Sequence, residues 1–578
     1  MKRRWRSPRM FAAAAAIGLL AAACGSSGGG GSSSTTSASG SGGGTASTVK
    51  VKDGGSVTFA IDETIPGFNI LTSADNEFVL QEVENQVWPL VFNINADLQP
   101  VLNTDLVTSA TQTKSNPQTI VYQINPKAVW SDGTPVNADD FIYNWQAQSG
   151  LPQYKDVDGQ PYDDVSNTGY SQMQSVVGSN NGKTVTVTFK PGQSFGDWKS
   201  LFGPIIPAHI AQKVGWNHGF DDVKNVVSDG PYIISNYVKD QTITETPNPK
   251  WWGAKPHLSS IVFRILSDDT AGPPAMQNNE VQLFSPASPN KQELDQIKAI
   301  PNVTVETPPG LEFEHLDFNQ ANPYLSNVAV RQAIAYGTDR AAMIARGPAQ
   351  LAPNTKQLGN RMYVATQPEY VDNGTAYEKV DVAKAKSLLQ SAGMTMNADG
   401  YFHPSSGPEA GQPLTLTISS TTGNPTRANN EQLFQADMKA IGIQIKIQNY
   451  SAKTFFGTNL PKGEYDIAEF AWVDTPFASG NLSIYCSYTN AQMCGQNWVH
   501  YSNPTVDKDL TQAVADTNAS DGTRLYNEAD KQLWTDMVTL PLYQVPQLYA
   551  WASNIGNVQA NTSNVGLTWN ANLWGLKA

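Results

Sequence analysis

Along most of the chain, apolar and polar positions alternate with a period of two or recur every three to four residues. Ser56-Val-Thr-Phe-Ala-Ile61 alternates and predicts an opening strand. Lys183-Thr-Val-Thr-Val-Thr-Phe189 alternates too, with Val185, Val187 and Phe189 on one face and the threonines on the other. It follows the turn residues Asn180-Asn181-Gly182, so 175–189 reads as a β-hairpin. The stretch Gly178 to Thr184 is one residue short of a phosphate loop, and the hairpin reading prevails because no helix follows. Leu414 to Ile418 predicts a strand, Ser419 to Arg427 a polar loop, and Phe434, Met438 and Ile441 one face of a helix that stops at Gly442. Ile443 to Ile447 then predicts a second strand. This is a βαβ unit, which places ligand loops at the carboxyl ends of its strands. The 419–427 loop, with Thr422 and Asn424, is therefore either a binding loop or a plain solvated connection.

Further on, Asn503-Pro504 opens a helix with Val506, Leu510, Ala513 and Val514 on one face. A second helix is predicted over 523–537, with Leu525, Ala529 and Leu533 inward. Leu540 to Val545 reads as a buried strand. The tail, with Trp551, Trp569 and Trp574, is expected to pack back on the body.

The N-terminus reads as an address. Lys2 to Arg9 is basic, Phe11 to Ala23 is a short apolar run, and Leu20-Ala-Ala-Ala-Cys24-Gly25 resembles a bacterial lipobox. Either Cys24 becomes the lipidated first residue of an exported lipoprotein, or an ordinary signal is cleaved beside an incidental cysteine. Residues 25–49 are Gly/Ser-rich and predict a flexible tether. Cys486 and Cys494 are either a disulfide pinning a loop or two free thiols.

The chain has 578 residues, 40% apolar, 10% aromatic and 15% charged, which excludes a disordered chain, and its mean hydropathy of −0.35 excludes a polytopic membrane protein. Five of the 38 basic residues lie in the first nine positions, so the body carries 33 against 51 acidic ones, and a nucleic-acid partner is not expected. The six histidines are scattered, without metal-ligand spacing. No dinucleotide fingerprint follows a strand. Asp139-Asp140 and Asp221-Asp222 read as turns or helix N-termini. No enzyme, cofactor or metal site is indicated, and binding is favoured over turnover.

Several blocks then occur in one order: Trp130-Ser-Asp-Gly-Thr-Pro-Val-Asn-Ala-Asp-Asp-Phe141, Ser228-Asp-Gly-Pro-Tyr232, Asn248-Pro-Lys-Trp-Trp-Gly-Ala-Lys-Pro256, Leu316-Asp-Phe-Asn319, and Val330-Arg-Gln-Ala-Ile-Ala335 with Asp339-Arg340. Together they resemble the extracellular solute-binding proteins, family 5, of peptide-type ABC importers. The resemblance implies an α/β type II periplasmic-binding fold: two lobes on a hinge plus an extra N-terminal subdomain. By analogy lobe I is 50–88, 223–287 and 538–578, the subdomain 89–222 and lobe II 288–537, after a lipoprotein signal at 1–24.

It also implies an oligopeptide held in the interlobe cleft, delivery to an ABC permease with its ATPase subunits, a monomer, and lipid anchoring at the outer face of the cell membrane. In Glu469-Phe-Ala-Trp472-Val-Asp474, Asp474 matches the carboxylate that takes a peptide's amino terminus. Glu469 falls where those binders carry an Arg. Trp88, Tyr450, Trp472 and Tyr543 are candidate cleft aromatics. The blocks Asn125 to Trp130 and Phe141 to Gln148 also resemble an actinobacterial branch that includes LpqW. That branch implies the alternative of an envelope lipoprotein assisting or regulating glycolipid synthesis without transport.

Overall fold

A computed structural model describes residues 49–578 apart from 267–269, 288, 409, 474 and 490–493, and apart from the side chain of Lys453. The expected signal with Cys24, nearly all of the tether, and Asp474 lie outside the described residues.

Three larger sheets organise the chain. The first has seven strands in the order Val303–Glu306, Tyr549–Ala552, Leu283–Phe284, Ser56–Ile61, Ser260–Ile265, Thr242–Pro247, Tyr232–Val238. The opening strand forms as the alternation predicts. It runs parallel to Ser260–Ile265 on one side and Leu283–Phe284 on the other. Val57, Phe59, Ala60 and Ile61 are all buried, as a strand covered on both faces requires.

The second sheet has five strands in the order Gln444–Ile447, Thr415–Ser419, Ile467–Val473, Pro309–Phe318, Thr539–Pro546. The predicted βαβ unit is its edge, with Thr415–Ser419 parallel to Gln444–Ile447 and the helix Pro425–Ile441 between them. That helix starts at Pro425 because Asn424 caps it, and stops at Gly442, whose φ of 89° suits a residue without Cβ.

The third sheet, of four strands, belongs to the segment between Ile61 and Tyr232 and contains the predicted hairpin as Met173–Ser179 with Thr184–Phe189. Asn180, Asn181 and Gly182 all have positive φ at its turn. The helix Ala138–Gln148 packs beside the hairpin. Asn137 and Asp140 cap it reciprocally, and Asp140 is buried rather than solvated. This subdomain is seated on the seven-stranded body. Trp252 Nε1 donates to Asp105 O at 2.6 Å, and Asn561 Nδ2 to Ile94 O at 2.8 Å.

The helix Pro504–Ala515 keeps Val506, Leu510, Ala513 and Val514 inward, and its partner runs Ala519–Thr535, four residues earlier at its start than the pattern indicated, because Asn518 caps it. The tail folds back: Trp574 is fully buried, and Thr568 Oγ1 donates to Glu82 O at 2.7 Å.

Two strands lie elsewhere than the analogy put them. Thr539–Pro546 is the edge of the five-stranded sheet, paired with Pro309–Phe318, and not part of the first lobe. Val303–Glu306 pairs with Tyr549–Ala552 in the seven-stranded sheet, and not in the second lobe. The two bodies are therefore 49–306 with 549–578, and 309–546.

Candidate ligand site between the two lobes

The chain crosses between the bodies twice, at Thr307-Pro308 and at Gln547-Leu548. The crossings lie side by side: Gln547 N–H donates to Pro308 O at 2.9 Å, and Pro309 stands opposite Pro546. Pro308, Pro309 and Pro546 have no N–H, and the ladder next to them breaks between Pro309 and Phe313. Two adjacent strands with few cross-links make a hinge.

The hinge fixes what faces what. In the seven-stranded sheet the parallel strands end at Ile61, Ile265 and Phe284, where Tyr549–Ala552 begins. In the five-stranded sheet the parallel strands end at Ser419, Ile447 and Val473, where Pro309–Phe318 begins. Both sets of carboxyl ends therefore open toward the crossings, where ligands of α/β sheets bind.

On the second lobe the 419–427 loop is tied down by backbone. Thr422 N–H donates to Tyr450 O at 2.7 Å, and Tyr450 N–H to Ser420 O at 3.0 Å. Asn424 accepts from the N–H groups of Thr426 and Arg427. The cap presents Arg427, whose Nε and Nη2 both lie 2.8 Å from Glu314 Oε1, while Nη1 donates to Thr421 Oγ1 at 2.9 Å. Behind it, Asn430 Nδ2 bridges Glu469 Oε1 at 2.7 Å and the Tyr543 hydroxyl at 2.8 Å. Glu469 is fully buried. Desolvation, then repulsion from Glu314, lifts its carboxyl well above the usual range, against the Asn430 hydrogen bond and Arg427.

On the first lobe, Asp62 and Glu63 follow the opening strand directly, and Glu77 precedes the helix Phe78–Glu84. Burial pushes the Glu63 carboxyl up to about 7, helped by Asp62, Glu77 and, from the other lobe, Glu312. Burial pushes Glu312 up to about 7 as well, with Glu314 adding to it and Arg427 opposing. A recess of about 840 Å³, counting space open to solvent, lies beside Glu77 between 70–81 and the subdomain, lined in part by Ile70, Phe78, Tyr170, Phe195 and Leu201.

The bodies also touch away from the hinge. Gly196 N–H donates to Val514 O at 2.8 Å, Ser194 Oγ to Ala515 O at 2.5 Å, and Ser479 N–H to Asp197 Oδ2 at 3.2 Å. A Cβ on Gly196 would stand 2.2 Å from Asp516 O. This contact closes the subdomain against the second lobe.

The candidate residues from the sequence separate into groups. Glu469 and Tyr543 meet through Asn430, while Thr422 and Asn424 share the neighbouring loop, to which Tyr450 is bonded through its backbone. Trp472 lies on the opposite face of its strand from Glu469, three residues along an alternating register. Its ring stacks on Trp498 at 5.3 Å and on His315 at 5.9 Å. Trp88 is not a cleft aromatic. It is fully buried in the first lobe, its Nε1 donates to Val227 O at 2.6 Å, and its ring packs edge-on against Phe220. Cys486 and Cys494 are disulfide-bonded, with Cα atoms 5.5 Å apart. The sequence reading passed over Glu63, Glu312, Glu314 and Asn430. Only Arg427 had a signal, as the end of the polar loop. Among the described residues, no three His, Cys, Asp or Glu side chains stand together as a metal cluster.

Known proteins carry the same architecture. The chain is 29% identical over 522 residues to the oligopeptide-binding protein OppA of Mycobacterium tuberculosis, covering 88% of this chain and 83% of that one. It is 26% identical over 462 residues to the probable monoacyl phosphatidylinositol tetramannoside-binding protein LpqW of the same species, covering 74% and 69%. Among solved structures, the periplasmic EDTA-binding protein EppA superposes with a TM-score of 0.84 at 26% identity, over 92% of this chain and 98% of that one. The fold is accordingly the type II periplasmic-binding fold. The model of the bacterial extracellular solute-binding proteins, family 5, matches residues 101–493, and the chain belongs to that family.

Proposed function

We propose that the protein is the solute receptor of an ABC importer, capturing oligopeptides between its lobes and handing them to a membrane permease. One observation carries this reading: the chain passes between two bodies at two adjacent crossings, with the carboxyl ends of both sheets facing the gap beside them. Such a hinge serves to close on a guest. The likeness to OppA over most of both chains supports a peptide as that guest. A lipid on Cys24 and the Gly/Ser tether would hold the receptor at the outer face of the membrane. Lobe I, the subdomain and lobe II divide the work into wall, lip and opposite wall.

Native mass spectrometry of gently purified protein, then denaturation, tests the reading by identifying what is carried. A set of peptides supports it. A second reading, an envelope lipoprotein acting in glycolipid synthesis without transport, draws on the likeness to LpqW and gains if the carried species is a glycolipid. Asp474 is the proposed partner of the peptide's amino terminus. Asp474→Asn is expected to weaken peptide affinity at least tenfold, and an unchanged affinity removes it from the site.

A further inference from the structure

Glu63 and Glu312 come from opposite lobes and both stand beside the hinge, near enough for the charge on Glu312 to reach Glu63. Glu63 is the second residue after the opening strand, and Glu312 lies near the start of the strand that leaves the hinge. Glu314 is two residues on, and alternation puts it on the same face as Glu312. The registers place Val473 opposite Glu312 and Ala471 opposite Glu314, so this face lines the strand ends of the second lobe.

The carboxylates outnumber their partners. Glu314 is 5% exposed, yet its Oε2 has no hydrogen-bond partner, since both contacts from Arg427 fall on Oε1. Glu469 Oε2 is fully buried and also lacks a partner. Arg427 is the cation beside them, and its hydrogen bonds go to Glu314 and Thr421. Asp62 and Glu77 add to the acidic side of the first lobe. A half-buried carboxylate facing another across a closing gap demands a proton or a cation.

Resting on the interlobe-cleft reading above, we infer that the ligand presents a positively charged group, an ammonium or guanidinium distinct from a peptide's amino terminus, to Glu63 and Glu312 at the hinge end of the cleft. A cation there turns repulsion between the lobes into attraction to both and supplies donors to the unpaired oxygen of Glu314. An anionic solute meets the opposite field. A neutral main chain satisfies the strand edges but leaves the carboxylates facing one another.

The test is calorimetric titration of the full chain with a tetra-alanine series in which each position in turn is lysine, norleucine or glutamate. Norleucine matches the lysine stem without the charge. At one position lysine is expected to bind at least tenfold tighter than norleucine, about 1.4 kcal/mol, with glutamate weakest. Glu63→Gln and Glu312→Gln should each shrink that ratio toward one, and thermal melts check that the variants fold. Equal affinity for lysine and norleucine at every position overturns the inference and leaves the peptide reading standing. Spermidine binding with no peptide binding upholds the inference and removes the peptide reading. No binding by peptide or spermidine overturns both.

Discussion

Gly196 offers the sharpest mechanical test of the two-lobe device. It approaches the second lobe so closely that an added Cβ would lie 2.2 Å from Asp516 O. Gly196→Val cannot be accommodated without separating the lobes at that lip. The perturbation also threatens the Gly196 N–H to Val514 O bond and the neighbouring Ser194 to Ala515 bond. Two such bonds contribute about 0.5–1.5 kcal/mol each, and overpacking costs about 1–3 kcal/mol. Because the two losses overlap, about 2–4 kcal/mol is expected against the closed form. The open form, in which the contact is absent, loses nothing.

The apparent Kd rises as the competent state empties, so an increase of about 30- to 800-fold is expected. Titration calorimetry with the tightest-binding solute reads the affinity, and small-angle scattering with and without it reads closure. Gly457→Ala serves as control, since its added Cβ meets nothing within 4 Å. If Gly196→Val binds within threefold of the parent and contracts equally on adding solute, the contact plays no part in closure.

Other outcomes follow from the same geometry. Glu63 and Glu312 titrate near 7 in the folded chain, above their usual value of 4.5. Folding therefore retains protons between pH 4.5 and 7, and stability falls as pH rises through that window, by about 1 kcal/mol per group after solvent screening. Urea melts at pH 5 and pH 8 check this, and the double Gln variant should flatten the difference. Over the same range, a cationic solute should bind more tightly as pH rises and release protons, read as a buffer-dependent calorimetric heat. Asn430→Leu leaves Glu469 Oε1 and the Tyr543 hydroxyl without the donor they share, and should lower stability by about 2–4 kcal/mol in denaturant melts. Arg361→Met strands Asp530, fully buried and 3.0 Å from Arg361 Nη1, and should cost about 3–5 kcal/mol by the same measurement.

What the sequence discloses depends on whether the signal is local. The hairpin at 173–189 and the βαβ unit at 415–447 are legible because alternation, turn residues and caps lie within a few positions of one another. Lobe boundaries are less so. Nothing in Leu540 to Val545 distinguishes an edge strand of one sheet from a strand of the other, and the pairing with Pro309–Phe318 decides it across more than 200 residues of chain. The aromatic candidates fail for a related reason. Trp88 in the core and a tryptophan in a cleft look alike in sequence until the indole is seen to donate to Val227 O. Glu63 and Glu312 carry no mark at all. Their meaning arises only when two sheets bring their strand ends to one hinge.

Hinge, lip and carboxylates bear on one equilibrium. The crossings add little resistance, because prolines leave few hydrogen bonds to break as they flex. The lip at Gly196 favours closure by a few hydrogen bonds. The facing carboxylates oppose it while ionised, and these terms act on the open–closed balance together with the apolar packing that the two bodies share. A solute shifts such a balance only by the difference in its affinity for the two states. A cation touching Glu63 alone gains the same in either form. One that touches Glu63 and Glu312 together exists as a contact only when the lobes are shut, and the carboxylates then convert from an obstacle into the solute's own closing force. Selectivity and closure are on this reasoning one property, and a variant that loses the preference for lysine must also lose part of the contraction seen by scattering.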